Sequence, residues 1–253
     1  MAVRFFLTVT LACFVHASAR GAWTVSSTDS EKGTATGVEH YRVAVSEKDA
    51  EATLELAVFT TKSLALRVID NPDGGDLADA MHRLRGVAGV NGGYFDPQNA
   101  PVGLVISDGK MLAPFRKAKL LSGVLVVSKG RVELVRSAEY SPRKNATAAL
   151  QCGPFLIDGG TPIAGLNNTR PARRTFFFTT GSDRAGMGFC SAVTLAELGE
   201  ILATPRIAGE LKIQRALNFD GGSSSAFWFS GERGVTSIGE LKTVPNFVIV
   251  TPK

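Results

Sequence analysis

The run Leu217-Asn218-Phe219-Asp220-Gly221-Gly222-Ser223-Ser224-Ser225-Ala226-Phe227-Trp228-Phe229 breaks an apolar strand pattern at an acid and two glycines, then resumes it. Glycines tolerate positive φ and let the main chain approach a ligand closely, and consecutive small hydroxyl residues offer donors that can cradle an anion. Asp220 is thereby set at a strand end beside a potential anion site. The same letters also spell an ordinary Asp-Gly hairpin turn, and the run alone does not separate the two. A second polar turn, Asn91-Gly92-Gly93-Tyr94-Phe95-Asp96, follows the apolar run Val87 to Val90. Asp96 precedes Pro97 and Asp158 precedes Gly159-Gly160, so both acids also read as turn formers. Arg173-Arg174-Thr175, just before Phe176-Phe177-Phe178, sets guanidinium donors suited to phosphate or carboxylate at the mouth of a buried strand.

Much chemistry is excluded. Beyond His16 near the start, the histidines are His40 and His82. Neither sits in a nucleophile-elbow setting, and the histidines and cysteines show none of the metal-ligand spacings. The Gly-rich turns lack the Gly-Lys-Ser/Thr that opens a phosphate-loop helix. Carboxylate, amide, hydroxyl and guanidinium remain, with Asp220 first among them, and no metal or cofactor is implied.

The elements that must position these groups are mostly strands. Alternating or apolar runs recur around Leu54 to Phe59, Leu64 to Ile69, Val87 to Val90, Leu104 to Ser107, Val124 to Val127, Val132 to Val135, Phe155 to Ile157, Phe176 to Thr179, Ala216 to Phe219, Ala226 to Phe229 and Phe247 to Thr251. Asp108-Gly109 and Lys129-Gly130 should close hairpins. Two helices are expected. One has Asp76 as N-cap, Leu77, Ala80, Met81 and Leu84 on one face, and a stop at Gly86. The other opens on the capping box Thr194-Leu195-Ala196-Glu197 and ends before Pro205. Each leads into a strand that ends in a glycine-bearing polar turn. The fold class is therefore α/β, a mixed, strand-rich sheet flanked by a few helices, in a single domain.

With 253 residues, 44% hydrophobic and 20% charged, the chain can bury one sizeable core. Arg4, the apolar run Phe5 to Val15 and Ala17-Ser18-Ala19 read as a signal peptide over residues 1–19, followed by a flexible leader over 20–40 and the domain over 41–253. This predicts a periplasmic or secreted protein. Cys13 as a lipidated terminus is the less favoured alternative, because Thr10 stands where a lipoprotein signal usually has Leu. The apolar run is too short for a stable membrane span. Losing Arg4 takes the formal charge from +5 to +4, and the remaining charge is scattered, which argues against nucleic acid and suits an anionic substrate. Cys152 and Cys190 are then left either to pair or to remain buried thiols.

Taken in order, Asn91-Gly92-Gly93-Tyr94-Phe95, Gly103, Gly153-Pro154-Phe155-Leu156, Arg174-Thr175, the helix Thr194 to Leu198 and Asn218-Phe219-Asp220-Gly221-Gly222-Ser223-Ser224 resemble the phosphodiester glycosidase family, from about Val87 to the C-terminus. The resemblance implies hydrolysis of a glycosyl (sugar 1-) phosphodiester; joined to the signal peptide, which restricts what the protein meets, it points to an exported hydrolase acting on cell-envelope or exopolysaccharide material. It implies Asp220 as the leading carboxylate, with Asn91 and Arg174 as catalytic partners. Gly92, Gly93, Tyr94, Gly103, Gly153, Asn218, Gly221, Gly222, Ser223 and Ser224 would bind substrate. The chain departs from the family pattern at Ser223, Phe176 and Ala192-Val193. These departures leave open an alternative, a non-catalytic glycan or exopolysaccharide-binding protein that keeps the pocket. A pocket filled by Phe176, or an Asp220 tied into a salt bridge, would favour that alternative.

Overall fold

The computed structural model describes residues 22–142 and 145–253. The signal-peptide segment and Cys13 lie outside them. The chain is a strand-rich α/β domain with two α-helices among the described residues. An eight-stranded sheet runs in the order Thr24–Lys32, Val38–Glu47, Ala50–Thr60, Arg184–Val193, Ala172–Thr180, Ile213–Asn218, Phe155–Asp158, Thr161–Pro162. A five-stranded sheet runs Lys110–Ala113, Val105–Ser107, Ala146–Cys152, Gly123–Ser128, Arg131–Arg136, and a second runs Gly234–Ile238, Phe227–Gly231, Ala88–Asn91, Asn246–Pro252, Leu64–Asp70.

Strand alternation distributes side chains among the layers. Phe177, Leu217, Leu125, Leu150, Phe227 and Val248 meet in one central core to which all three sheets contribute. Phe176 and Phe178 point the other way, into a layer closed by the helix Leu195–Leu202. The helix Leu77–Leu84 covers the outer face of the third sheet through Leu77, Ala80 and Met81.

Local signals did what their chemistry dictates. Asp76 accepts from the Asp79 N–H at 2.8 Å, and the Thr194–Glu197 capping box is complete in both directions. Asp108-Gly109 and Lys129-Gly130 take positive φ at both positions and close two-residue hairpins. Asp158 likewise begins a tight turn, with Arg136 and Arg215 on its carboxylate. Asp96 accepts from the N–H groups of Gln98 and Ala100, a turn former. Cys152 and Cys190 are free, buried thiols, both pushed up to about 12 by burial.

The flexible leader is a correction. Thr24–Lys32 pairs antiparallel along Val38–Glu47 as the edge of the largest sheet. Its Ser- and Thr-rich sequence leaves both faces largely exposed, so no apolar alternation marks it.

Candidate active site

Three chain crossings meet beneath Asp220. The strand Ala88–Asn91 belongs to one sheet, Ile213–Asn218 to another, and Ala146–Cys152, which leads into the cis bond Gly153-Pro154, to the third. Asn91, fully buried, ties the first two together. Its amide donates to the Asp220 carbonyl at 2.8 Å, and its oxygen accepts from Thr175 Oγ1 at 2.7 Å and from the Ala226 N–H at 3.0 Å. The Asp220 N–H donates to the Gly92 carbonyl at 3.1 Å. Gly92 and Gly93 are buried, and their N–H groups are held by the carbonyl and side chain of Asn246. Asn91, Gly92 and Gly93 therefore lie under the turn as its foundation, not on its open face.

Above them, Asp220 is partly exposed and its Oδ1 accepts from the Gly221 N–H at 3.0 Å. No salt bridge ties it down among the described residues. Burial raises its pKa above the ordinary carboxylate value, opposed by the neighbouring Ser224 hydroxyl, the Gly221 N–H and the Lys242 ammonium. That hydroxyl influences the carboxylate by proximity, although Ser224 Oγ makes no bond of ordinary geometry. Gly222 to Ser224 forms a single 3-10 turn, with Gly222 at φ 65°, a backbone conformation that glycine adopts freely. The Ser224 and Ser225 N–H groups turn back to Gly221 and Gly222. Among the described residues, those of Gly222 and Ser223 find no acceptor.

Tyr94 lies between the charges. Its hydroxyl donates to the Gly153 carbonyl at 2.5 Å and accepts from Asn218 Nδ2 at 3.1 Å. Burial drives its pKa well up, with Cys152 and Asp220 adding to the shift and Asn218 and Arg174 opposing it. Asn218 is buried and spends its amide on Tyr94, Gly153 and Phe219, while its Oδ1 has no partner among the described residues. Gly153 is required sterically, since a Cβ there would stand 2.1 Å from the Leu120 carbonyl oxygen. Gly103 lies beside Gln151 and Leu121, farther along the same support.

Arg174 bonds the Val193 carbonyl through Nε at 2.9 Å and the Arg170 carbonyl through one Nη at 2.6 Å. Its other Nη has no acceptor among the described residues and borders Gly221. Burial lowers its pKa, though it remains a cation at any physiological pH. Arg173 does different work: it bonds the Ser225 and Gly239 carbonyls and stacks over Phe189, bracing the turn from behind. Phe176 is wholly buried in the helix layer and does not fill the site.

The structure thus brings Asp220, Tyr94, Arg174, Asn218 and the Gly221 to Ser224 turn together. Thr175, Asn246 and Lys242 were missed. Thr175 alone carried a signal, its place beside Arg174.

Residues 85–251 match the model of the phosphodiester glycosidase family, and the chain belongs to that family. No curated protein matches it in sequence. It is similar in fold to the zebrafish N-acetylglucosamine-1-phosphodiester alpha-N-acetylglucosaminidase catalytic domain, auto-inhibited by its pro-peptide. The TM-score is 0.67 at 12% identity, over 92% of this chain and 89% of that one. A hypothetical protein from Synechocystis is also similar, with a TM-score of 0.61 at 14% identity, over 86% of this chain and 62% of the other. No helix among the described residues is long and apolar enough to cross a membrane.

Proposed function

We propose that the chain is an exported hydrolase that cleaves a glycosyl phosphodiester on cell-envelope or exopolysaccharide material. One observation carries the reading: Asp220 is partly desolvated with no ion pair among the described residues, and the residue after it, Gly221, borders the uncommitted Nη of Arg174. A carboxylate kept for stability alone is normally matched with a cation. Water adds at the anomeric carbon, the bond from that carbon to the phosphate oxygen breaks, and the phosphate leaves as an anion. The leaving group is a weak base, so holding its charge matters more than protonating it. Arg174 and the Gly222 and Ser223 N–H groups supply that hold. Asp220 acts as base toward water or as nucleophile toward the sugar; the anomeric configuration of the released sugar distinguishes the two roles. Asn91 positions the acid through its main chain. Export is supported by the Arg4, Phe5 to Val15, Ala17-Ser18-Ala19 pattern.

The test is release of free sugar from a panel of sugar 1-phosphodiesters by the mature protein and its Asp220→Ala variant, with folding checked by thermal melting. The wild type should turn over, and the variant should lose roughly 10³–10⁴-fold in kcat/KM. The acid limb of the rate profile should lie above the ordinary carboxylate range, because Asp220 works deprotonated and its pKa is raised. Saturable binding with no turnover by either protein would identify a glycan-binding protein instead.

A further inference from the structure

A lone diester carries one negative charge, and Arg174 with the turn amides answers it. More cations surround the site than that charge requires. Arg116 is clamped beside the site by its own main chain: its N–H donates to Gln151 Oε1 at 3.0 Å, and its carbonyl accepts from Gln151 Nε2 at 2.7 Å. Gln151 lies two residues before Gly153, and the Leu120 carbonyl abuts the Cα side of Gly153, whose own carbonyl receives Tyr94 and Asn218. The loop between these anchors carries Arg116, Lys117 and Lys119, all exposed. On the Gly221 side, Arg170 is exposed and its carbonyl holds Arg174. On the Ser223 side, the Leu241 N–H donates to the Ser223 carbonyl at 2.7 Å, and the next residue, Lys242, lies with its ammonium 4.4 Å from the Phe95 ring centre.

Among the described residues, none of Arg116, Lys117, Lys119, Arg170 and Lys242 is in an ion pair, although the Lys242 ammonium acts on the Asp220 carboxylate at longer range. Away from the site Arg42, Arg67, Arg136, Arg184, Arg215 and Arg233 are ion-paired, whereas, among the described residues, exposed Lys48, Arg85, Lys110 and Arg131 are not, so what sets the five apart is their common position around the turn. Of the nearby acids, Asp96 is committed to its own turn, and Glu240 gives one oxygen to the Leu77 N–H at the start of the helix Leu77–Leu84 while its charge acts on Arg173, leaving the five exposed cations unanswered by it.

We infer that the site takes a polyanionic chain, an oligomer in which the sugar 1-phosphodiester is a repeating unit, and that the surplus cations hold the charges on either side of the scissile one. This rests on the hydrolase reading of the same site. Each exposed contact is weak, about 0.2–1 kcal/mol, so the selectivity is a sum over several contacts, and salt weakens it as the Debye length contracts from ~30 Å at 0.01 M to ~3 Å at 1 M.

The experiment compares a synthetic monomeric glycosyl phosphodiester with a four-unit oligomer of the same repeat, using the mature wild type and a Lys117→Glu/Lys119→Glu variant, at 0.01 M and 0.5 M NaCl. The wild type should favour the oligomer by about tenfold in kcat/KM at low salt, and high salt should erase the preference. The variant should lose the preference and hydrolyse the monomer normally. Equal rates on monomer and oligomer at low salt would overturn the inference and leave the hydrolase reading intact, as would a preference that charge reversal does not touch. Absence of turnover on both would instead strike the hydrolase reading. Calorimetric titration of the Asp220→Asn variant with the oligomer then decides the inference independently. Salt-dependent binding sustains it. Lack of binding overturns it, as does equal competition from an oligonucleotide of the same charge.

Discussion

Around His40, each charge is answered. Its Nε2 meets Glu55 Oε2 at 2.7 Å and its Nδ1 faces Glu31 Oε1 at 3.5 Å. Arg42 Nε donates to the other Glu55 oxygen at 2.7 Å, and the Arg233 N–H donates to Glu31 at 3.1 Å. The ring itself stacks on Phe229 with centroids 4.9 Å apart. Around Asp220, among the described residues, the carboxylate is partly desolvated with no ion pair, Arg174 has an Nη to spare, and Asn218 Oδ1, Ser224 Oγ and Asn246 Nδ2 are buried without hydrogen-bond partners. Both regions place polar groups among phenylalanines, and His40 Nδ1 too lacks a hydrogen bond, but only around His40 is each carboxylate matched with a basic partner. A closed cluster is what a fold needs to bury charge. An open one costs stability and is the signature of groups held ready for something else.

That contrast can be broken deliberately. The largest effect belongs to Asn91→Ala, which strands the Thr175 hydroxyl and the Ala226 N–H and releases the Asp220 main chain. Denaturant titration should show a loss of about 3–5 kcal/mol, and kcat/KM should fall roughly 10²-fold as the acid loses its placement. Glu55→Ala comes next. Leaving buried His40 without its principal partner should cost about 3 kcal/mol, lowering Tm by roughly 6–12 °C for a domain of this size, while kcat measured on folded protein stays at the wild-type value.

Asp220→Asn gives the smallest change and the opposite sign. The folded pKa of Asp220 is raised, so from the ordinary carboxylate value of 3.8 up to that raised pKa the folded state binds more protons than the unfolded one. Stability therefore falls as pH rises through this window and stays lower above it. Removing the charge recovers it. The variant should melt above the wild type at neutral pH, and the gap should close as pH falls below 3.8. A variant less stable than the wild type at neutral pH would mean that the site is as closed as the one around His40.

The sequence made legible whatever rests on local chemistry. Both helix caps, the Asp108-Gly109 and Lys129-Gly130 hairpins and the Asp220 turn were readable because short-range bonding decides them. The strand Arg184–Val193 was missed, since Gly186 and Gly188 interrupt its apolar pattern. The glycines are there because the rings of Phe178 and Phe176 occupy the space their side chains would need, a fact about the neighbouring strand. Thr24–Lys32 was unreadable for the reason that makes it an edge, exposure on both faces. At the candidate site, Asp220 and Arg174 were singled out from their motifs, whereas Asn246 and Lys242 reach it only through the fold. Asn91 was placed in the right neighbourhood, but its complete burial, and hence its place below the turn, depends on three strands meeting.

The knot that Asn91 makes has a kinetic consequence. The amides of Asp220 and Ala226, the first bonded to Gly92 and the second to the Asn91 side chain, belong to the same cooperative unit as the central core and should exchange with deuterium only when the whole domain opens. The candidate site is then the slowest clock of the molecule. Breathing near it falls to the segments around Lys117 and Leu241, whose amides should exchange far sooner.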